Sequence, residues 1–107
     1  MSVSLNGRTA LVTGSSRGIG QAIAERLAAD GAAIIINYTR NEQPARAVVN
    51  RIVGNGGKAI AIQADISKAA DVTRLFSEAE KAMGQLDIVV ANAGVYMMKP
   101  FIESTEA

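Results

Sequence analysis

The chain has 107 residues, of which 11 are basic and 10 are acidic, and it contains neither histidine nor cysteine. With 49% hydrophobic residues and a formal net charge of +1, it can bury the core of one small domain and has no basic surface typical of nucleic-acid binding. The composition excludes disulfides, thiolate catalysis, cysteine zinc sites and histidine general bases. We therefore expect no metal site and no nucleic-acid partner.

Membrane and export signals are absent from the sequence pattern. The first apolar run, Ala10 to Val12, is too short for the core of a signal peptide, and no stretch approaches the roughly 18 apolar residues of a transmembrane helix. The sequence therefore predicts a cytoplasmic protein without a membrane partner.

The first half of the chain predicts two strands and two helices. A compact strand over Thr9–Thr13 is followed by a helix that starts at Gly18 and stops at Gly31. Three consecutive isoleucines within 33–38 predict a strand buried on both faces, as parallel sheets require. A second helix is expected over 43–53, ended by a glycine-rich cluster.

The second half continues the alternation. We expect a strand over 58–64, a third helix with Ser67 as its N-cap and Gly84 at its end, and a fourth strand over 86–91. Ser104, Thr105 and Glu106 resemble the opening of a fourth helix. The resulting order β-α-β-α-β-α-β predicts an α/β fold, a doubly wound parallel sheet with helices on both faces and a ligand site at the carboxyl ends of the strands.

A glycine-rich turn links the first strand to the first helix. It reads Thr13-Gly14-Ser15-Ser16-Arg17-Gly18-Ile19-Gly20. Gly14 permits a sharp exit from the strand, Gly18 lets backbone amides approach a diphosphate, and Gly20 lets the helix pack closely on the sheet. Neither the P-loop nor the strict G-x-G-x-x-G spacing fits this turn, which instead has the form G-x-x-x-G-x-G.

With this turn, the sequence resembles the short-chain dehydrogenase/reductase family, whose signature T-G-x-x-x-G-x-G matches residues 13–20. Asp65-Ile66 is similar to the family's adenine-contacting pair, and Asn92-Ala93-Gly94 to its N-A-G motif, although Ala91 replaces an asparagine found in many members. The resemblance covers the whole chain and implies a Rossmann-type fold. It implies a dinucleotide site formed by Gly14, Ser16, Arg17, Gly18, Ile19, Gly20, Tyr38, Thr39, Arg40, Asp65, Ile66, Asn92, Ala93 and Gly94.

The end of the second strand indicates which cofactor is bound. The acidic residue that would accept from the ribose 2′-hydroxyl of NAD is replaced by Tyr38, and Glu42 lies beyond the turn. Arg17 and Arg40 can instead bind a 2′-phosphate, with Thr39 adding a hydroxyl. We therefore expect NADP(H) rather than NAD(H); the alternative is that both arginines are solvated surface charges.

The catalytic groups that the family resemblance implies are not in this sequence. The family's Tyr-x-x-x-Lys pair is absent, since Glu42 follows Tyr38 by four positions and Pro100 follows Tyr96. The family's Ser, Tyr, Lys and supporting Asn are expected after Ala107. We therefore interpret residues 1–107 as the NADP-binding N-terminal part of a single domain, without catalytic residues of its own and inactive alone.

The resemblance implies a full-length 3-oxoacyl reductase-like enzyme that interconverts a ketone and a secondary alcohol and forms dimers or tetramers. The alternatives are a non-catalytic nucleotide-binding module or truncated fragment, and a purely structural α/β domain. Tyr96, Met97 and Met98 can either pack internally or border the substrate. In the chain alone, Ile88–Val90 is expected to form an exposed apolar edge that promotes association.

Overall fold

The computed structural model describes residues 4–14 and 18–91 and the strand formed by 94–97. The elements are β1 (Thr9–Val12), α1 (Gly18–Ala29), β2 (Ala33–Tyr38), α2 (Glu42–Gly54), β3 (Lys58–Gln63), α3 (Ala69–Met83), β4 (Ile88–Ala91) and β5 (Gly94–Met97). The predicted alternation of strands and helices is confirmed through β4. The expected helix opening at 104–106 lies outside the described residues.

The sheet has the strand order β3-β2-β1-β4-β5. Strands β1 to β4 are mutually parallel, with Leu11 opposite both Ile35 in β2 and Val89 in β4. The carboxyl ends of these four strands therefore meet at one edge, as the doubly wound fold requires.

Two hydrophobic clusters lie on opposite faces of the sheet. Ile34 and Ile36 belong to the cluster that packs against α1 and α2, whereas Ile35 belongs to the cluster that packs against α3. All three isoleucines are fully buried, which confirms the prediction that β2 is covered on both faces. The sheet is thus sandwiched between two helices on one side and one on the other.

The expected role of Ser67 as the N-cap of α3 is wrong. Lys68 occupies the cap position, and its side chain makes no capping hydrogen bond. The Ser67 hydroxyl donates instead to the carboxylate of Asp65, at 2.6 Å. Asp65 lies two residues before Ser67, and this local hydrogen bond holds the serine side chain in the turn that precedes the helix.

The expectation that β4 is an exposed edge is also wrong. Strand β5 pairs with it in antiparallel register, Val90 opposite Val95, and satisfies backbone groups that would otherwise be open. Tyr96 and Met97 are part of this strand, while Met98 lies outside the described residues. The outer position in the sheet is therefore taken by β5.

The longest described helix, α3, has 15 residues. Among the described helices, none combines the length and the apolar character needed to cross a membrane.

Candidate functional site

The turns that follow β1, β2 and β3 converge at the carboxyl edge of the sheet. Gly14 follows β1, Thr39 follows β2 and Asp65 follows β3, and these strands are parallel neighbours. Gly94 lies at the same edge because it is paired with Ala91, the last residue of β4. The topology thus brings together segments that are up to 80 residues apart along the chain.

The glycine turn has backbone geometry that few other residues adopt. Gly14 has a φ of 60° and Gly18 a φ of 67°, both in the left-handed region that favours glycine. A Cβ atom built at either position would meet nothing within 4 Å, so there is open space beside both glycines. Gly20 lies in the first turn of α1. Ser16 and Arg17 lie outside the described residues.

One buried side chain connects the glycine turn to the ends of β2 and β3. Asn37 is only 1% exposed. Its Oδ1 accepts from the backbone N–H of Gly14 at 3.3 Å, and its Nδ2 donates to the Ala64 carbonyl at 3.2 Å and to the Ile62 carbonyl at 3.4 Å. This one amide therefore fixes the exit of β1 relative to the exit of β3.

The turn around Asp65 is organised by two hydrogen-bonded carboxylates. The Ser67 hydroxyl and backbone N–H both donate to Asp65 Oδ1, and the Asp65 N–H donates to the carboxylate of Asp71 at 2.8 Å. Hydrogen bonds from Ser67, aided by the charges of Lys68 and Arg40, hold the pKa of the Asp65 carboxyl below its ordinary value. Asp65 is therefore ionised at neutral pH.

The turn after β2 carries an available cation. Arg40 is exposed and forms no ion pair with any other described residue. Glu42, the nearest acidic residue along the chain, is ion-paired with Arg46 one helical turn later. Glu42 is therefore paired within α2, and the exposed Arg40 guanidinium, which acts on Asp65 through its charge without forming an ion pair, remains accessible to a ligand.

Apolar side chains flank the polar part of this edge. Ile19 is 80% exposed and Ile66 is 41% exposed, an unusual exposure for large aliphatic residues. Tyr38, in contrast, is half-buried and packs against the core beneath α1 and α2. Asn92 and Ala93 lie outside the described residues. The edge thus offers open glycine backbone, an exposed guanidinium, a carboxylate and two apolar contacts.

A groove of about 810 Å³ lies at the opposite edge of the sheet, beside the first residues of β1, β2 and β3. Thr9, Ala33 and Lys58 are among the residues that line it. It contains none of the glycine turn and none of the residues after the carboxyl ends of the strands. We therefore place the candidate site at the carboxyl edge, where parallel sheets bind their ligands.

Sequence reasoning missed three residues that shape this edge: Asn37, Gln63 and Asp71. Asn37 carries a signal in the sequence, because it is a polar residue inside the apolar run Ile34–Tyr38 and its burial would require partners. Gln63 and Asp71 carry no such signal, since each forms a hydrogen bond with a backbone group of another segment. Gln63 donates to the Thr39 carbonyl, and Asp71 accepts from the Asp65 N–H.

A family model described as short chain dehydrogenase matches residues 8–107. The chain is 52% identical over 103 residues to the hydroxynaphthalene reductase-like protein Arp2 of Metarhizium robertsii, covering 96% of this chain and 39% of that protein. A dehydrogenase/reductase structure from Sinorhizobium meliloti 1021 aligns with a TM-score of 0.83 and 48% identity, covering 85% of this chain and 36% of that one.

A short chain dehydrogenase structure from Burkholderia cenocepacia J2315, in complex with NADP, is also similar. Its TM-score is 0.76 and its identity 50%, over 79% of this chain and 35% of that one. The chain thus spans about two fifths of the length of the relatives it matches. Because the family model matches residues 8–107, and because the chain has the glycine turn and the parallel sheet, this chain belongs to the short-chain dehydrogenase family.

Proposed function

We propose that this chain is the NADP(H)-binding, N-terminal part of a cytoplasmic oxidoreductase that interconverts a ketone and a secondary alcohol by hydride transfer. The observation that carries the cofactor preference is Arg40, which is exposed at the end of β2 and forms no ion-pair contact with any described residue. A 2′-phosphate is the group that distinguishes NADP from NAD, and a guanidinium binds it with paired hydrogen bonds.

The geometry at the carboxyl edge fits a dinucleotide. The open space beside Gly14 and Gly18 would receive the diphosphate, close to the N-terminus of α1, whose free N–H groups favour an anion. Ile66 offers an apolar contact and Asp65 a hydrogen-bond acceptor to the adenosine half. When bound, the nicotinamide ring gives or accepts the hydride; the residues of this chain bind and orient the dinucleotide.

The proposed cofactor site comprises the residues named from the sequence, including four outside the described part of the chain. These four are Ser16, Arg17, Asn92 and Ala93. The NADP present in the similar Burkholderia cenocepacia structure supports the choice of cofactor.

The catalytic proton donor is proposed to lie in the remainder of the full-length protein. None of the 107 residues forms a Tyr-x-x-x-Lys pair, and the chain spans about two fifths of its relatives. Small carbonyl or alcohol substrates and a homo-oligomeric assembly are proposed for that protein. The second candidate, a nucleotide-binding module without catalysis, is favoured if the full-length protein lacks this pair.

The substitution Arg40→Ala tests the cofactor proposal directly. In fluorescence titrations of the full-length protein, we expect the affinity for NADPH to fall about tenfold, because a charge-assisted contact to the 2′-phosphate is lost. The affinity for NADH should not change.

Arg26→Ala is the matched control. Arg26 is also an exposed arginine, but it lies in the last turn of α1 and is paired with Asp30. This variant should bind both nucleotides as the wild type does. Equal loss of NADPH and NADH affinity in Arg40→Ala, or no loss of either, would contradict the proposed preference.

A further inference from the structure

A chain of hydrogen bonds runs from α3 to the turn that carries Arg40. Gln63, the last residue of β3, donates from Nε2 to the carbonyl oxygen of Thr39 at 2.9 Å. Thr39 immediately precedes Arg40, so this contact acts on the backbone of the turn itself. Gln63 is exposed and is paired in the sheet with Tyr38, the last residue of β2.

The orientation of the Gln63 amide is set by an arginine on α3. Arg74 donates to Gln63 Oε1 at 3.2 Å and to the Gln63 backbone carbonyl at 2.8 Å. Arg74 is itself ion-paired with Glu78 at 3.1 Å and lies 3.8 Å from Asp71. With its oxygen held by the guanidinium, the amide must present its nitrogen to the Thr39 carbonyl.

We propose that Gln63, oriented by Arg74, is a positioning residue that fixes the Thr39–Arg40 turn and so sets the preference for NADP(H) over NAD(H). The inference rests on the proposed function, since it assigns a cause to that cofactor preference. Gln63 itself does not contact the phosphate. It holds the peptide from which the Arg40 side chain extends, and a bidentate phosphate contact is sensitive to such placement.

The test is the substitution Gln63→Met, which keeps the length of the side chain and alters no charge. It removes both the N–H donor to Thr39 and the oxygen that accepts from Arg74. In titrations of the full-length protein we expect NADPH affinity to fall about fivefold while NADH affinity and melting temperature stay unchanged. Gln85→Met is the matched control, because Gln85 is an exposed glutamine just after α3 and outside the carboxyl-edge turns; it should leave both affinities unaltered.

Combining Gln63→Met with Arg40→Ala separates positioning from a direct effect. If Gln63 acts through Arg40, the double variant should bind NADPH no more weakly than Arg40→Ala alone. An unchanged NADPH-to-NADH affinity ratio in Gln63→Met, or an equal further loss in the double variant, would overturn the inference while leaving the proposed function intact. A wild-type protein without preference for NADPH would instead overturn the proposed function, and this inference with it.

Discussion

At the scale of single residues, Asn37 is a polar side chain buried in an apolar strand with its hydrogen-bonding atoms paired. Its amide makes hydrogen bonds to backbone groups of the β1 and β3 ends, so burial leaves no unpaired side-chain atom. The neighbouring isoleucines provide packing. Asn37 instead fixes the relative positions of the carboxyl ends of β1, β2 and β3.

Replacing Asn37 by leucine should therefore destabilise the fold. The Gly14 N–H and the Ala64 carbonyl would lose their side-chain partner, at a cost of about 1–3 kcal/mol in the free energy of unfolding. Urea denaturation of the full-length protein measures this. Asn50→Leu, on the exposed surface of α2, should change stability by less than about 0.5 kcal/mol. Equal stability of the two variants would contradict the role given to Asn37.

At the scale of elements, α2 and α3 begin in different ways. Asn41 caps α2 conventionally, since its side chain accepts from the N–H of Gln43 at 3.2 Å. Before α3, the carboxylate of Asp65 accepts a hydrogen bond from the Ser67 hydroxyl. The carboxylate of Asp71, in the first turn of α3, accepts from the Asp65 N–H. The start of α3 is therefore fixed by the preceding turn and not by a cap residue.

The substitution Ser67→Ala tests the hydrogen bonding in this turn through the pKa of the Asp65 carboxyl. Loss of the hydroxyl donor should raise the pKa of Asp65 toward its ordinary value of 3.8. Because the folded-state pKa is lowered, the ionised carboxylate favours the folded state above the unfolded pKa, and this contribution is lost as the pH falls through the folded pKa. A carboxyl-carbon NMR titration measures the shift.

Ser77→Ala serves as the comparison, because Ser77 is an exposed serine within α3. It should leave the titration of Asp65 unchanged. If Asp65 titrates identically in Ser67→Ala and in the wild type, hydrogen bonding by Ser67 is not the main cause of the lowered pKa.

Local sequence patterns determined most elements but not all of them. The isoleucine run of β2 predicted its element because a strand of a parallel sheet is buried on both faces. The apolar stripe of α3 predicted a helix because burial of one helical face imposes a period of 3.6 residues; it is formed by Val72, Leu75, Phe76, Ala79 and Met83. The prediction that Ser67 caps α3 failed because the Ser67 hydroxyl forms its hydrogen bond with Asp65 instead of with the first turn of the helix. Strand β5 was missed because its pairing with β4 depends on a tertiary contact and not on its own pattern.

At the scale of the whole molecule, strand order decides which backbone is best protected. β1 lies between β2 and β4, and β2 lies between β1 and β3, whereas β3 is at the outside of the sheet. β1, β2 and β4, the three inner strands of the described sheet, each contribute side chains to the clusters on both faces. The inner strands should therefore be more stable than the outer strand β3.

Amide hydrogen exchange should rank the strands accordingly. The slowest amides are expected in β1 and β2, with those of β3 exchanging at least about tenfold faster, because outer strands open without disrupting the centre. Exchange followed by mass spectrometry of the full-length protein would show this order. Protection in β3 equal to that in β1 would indicate a partner covering the outer strand.

Within the candidate site, the sequence could indicate only residues that a local pattern marks, each within its own segment. Gly14 and Gly18 could be identified from their spacing, because the turn needs residues that tolerate positive φ. Arg40 could be named from its place after a strand. The contacts from Gln63 and Asn37 could not be predicted, since they depend on the register between β2 and β3.

The amide of Asn37 has a thermodynamic consequence for the proposed dinucleotide. Gly14, at the diphosphate end, and Ala64, before the adenosine end, are held by one buried group, so their relative freedom is lost when the chain folds. Association then costs less conformational entropy than it would with two independent loops. The chain is in this respect preorganised: the two halves of the cofactor meet a spacing that already exists before either of them binds.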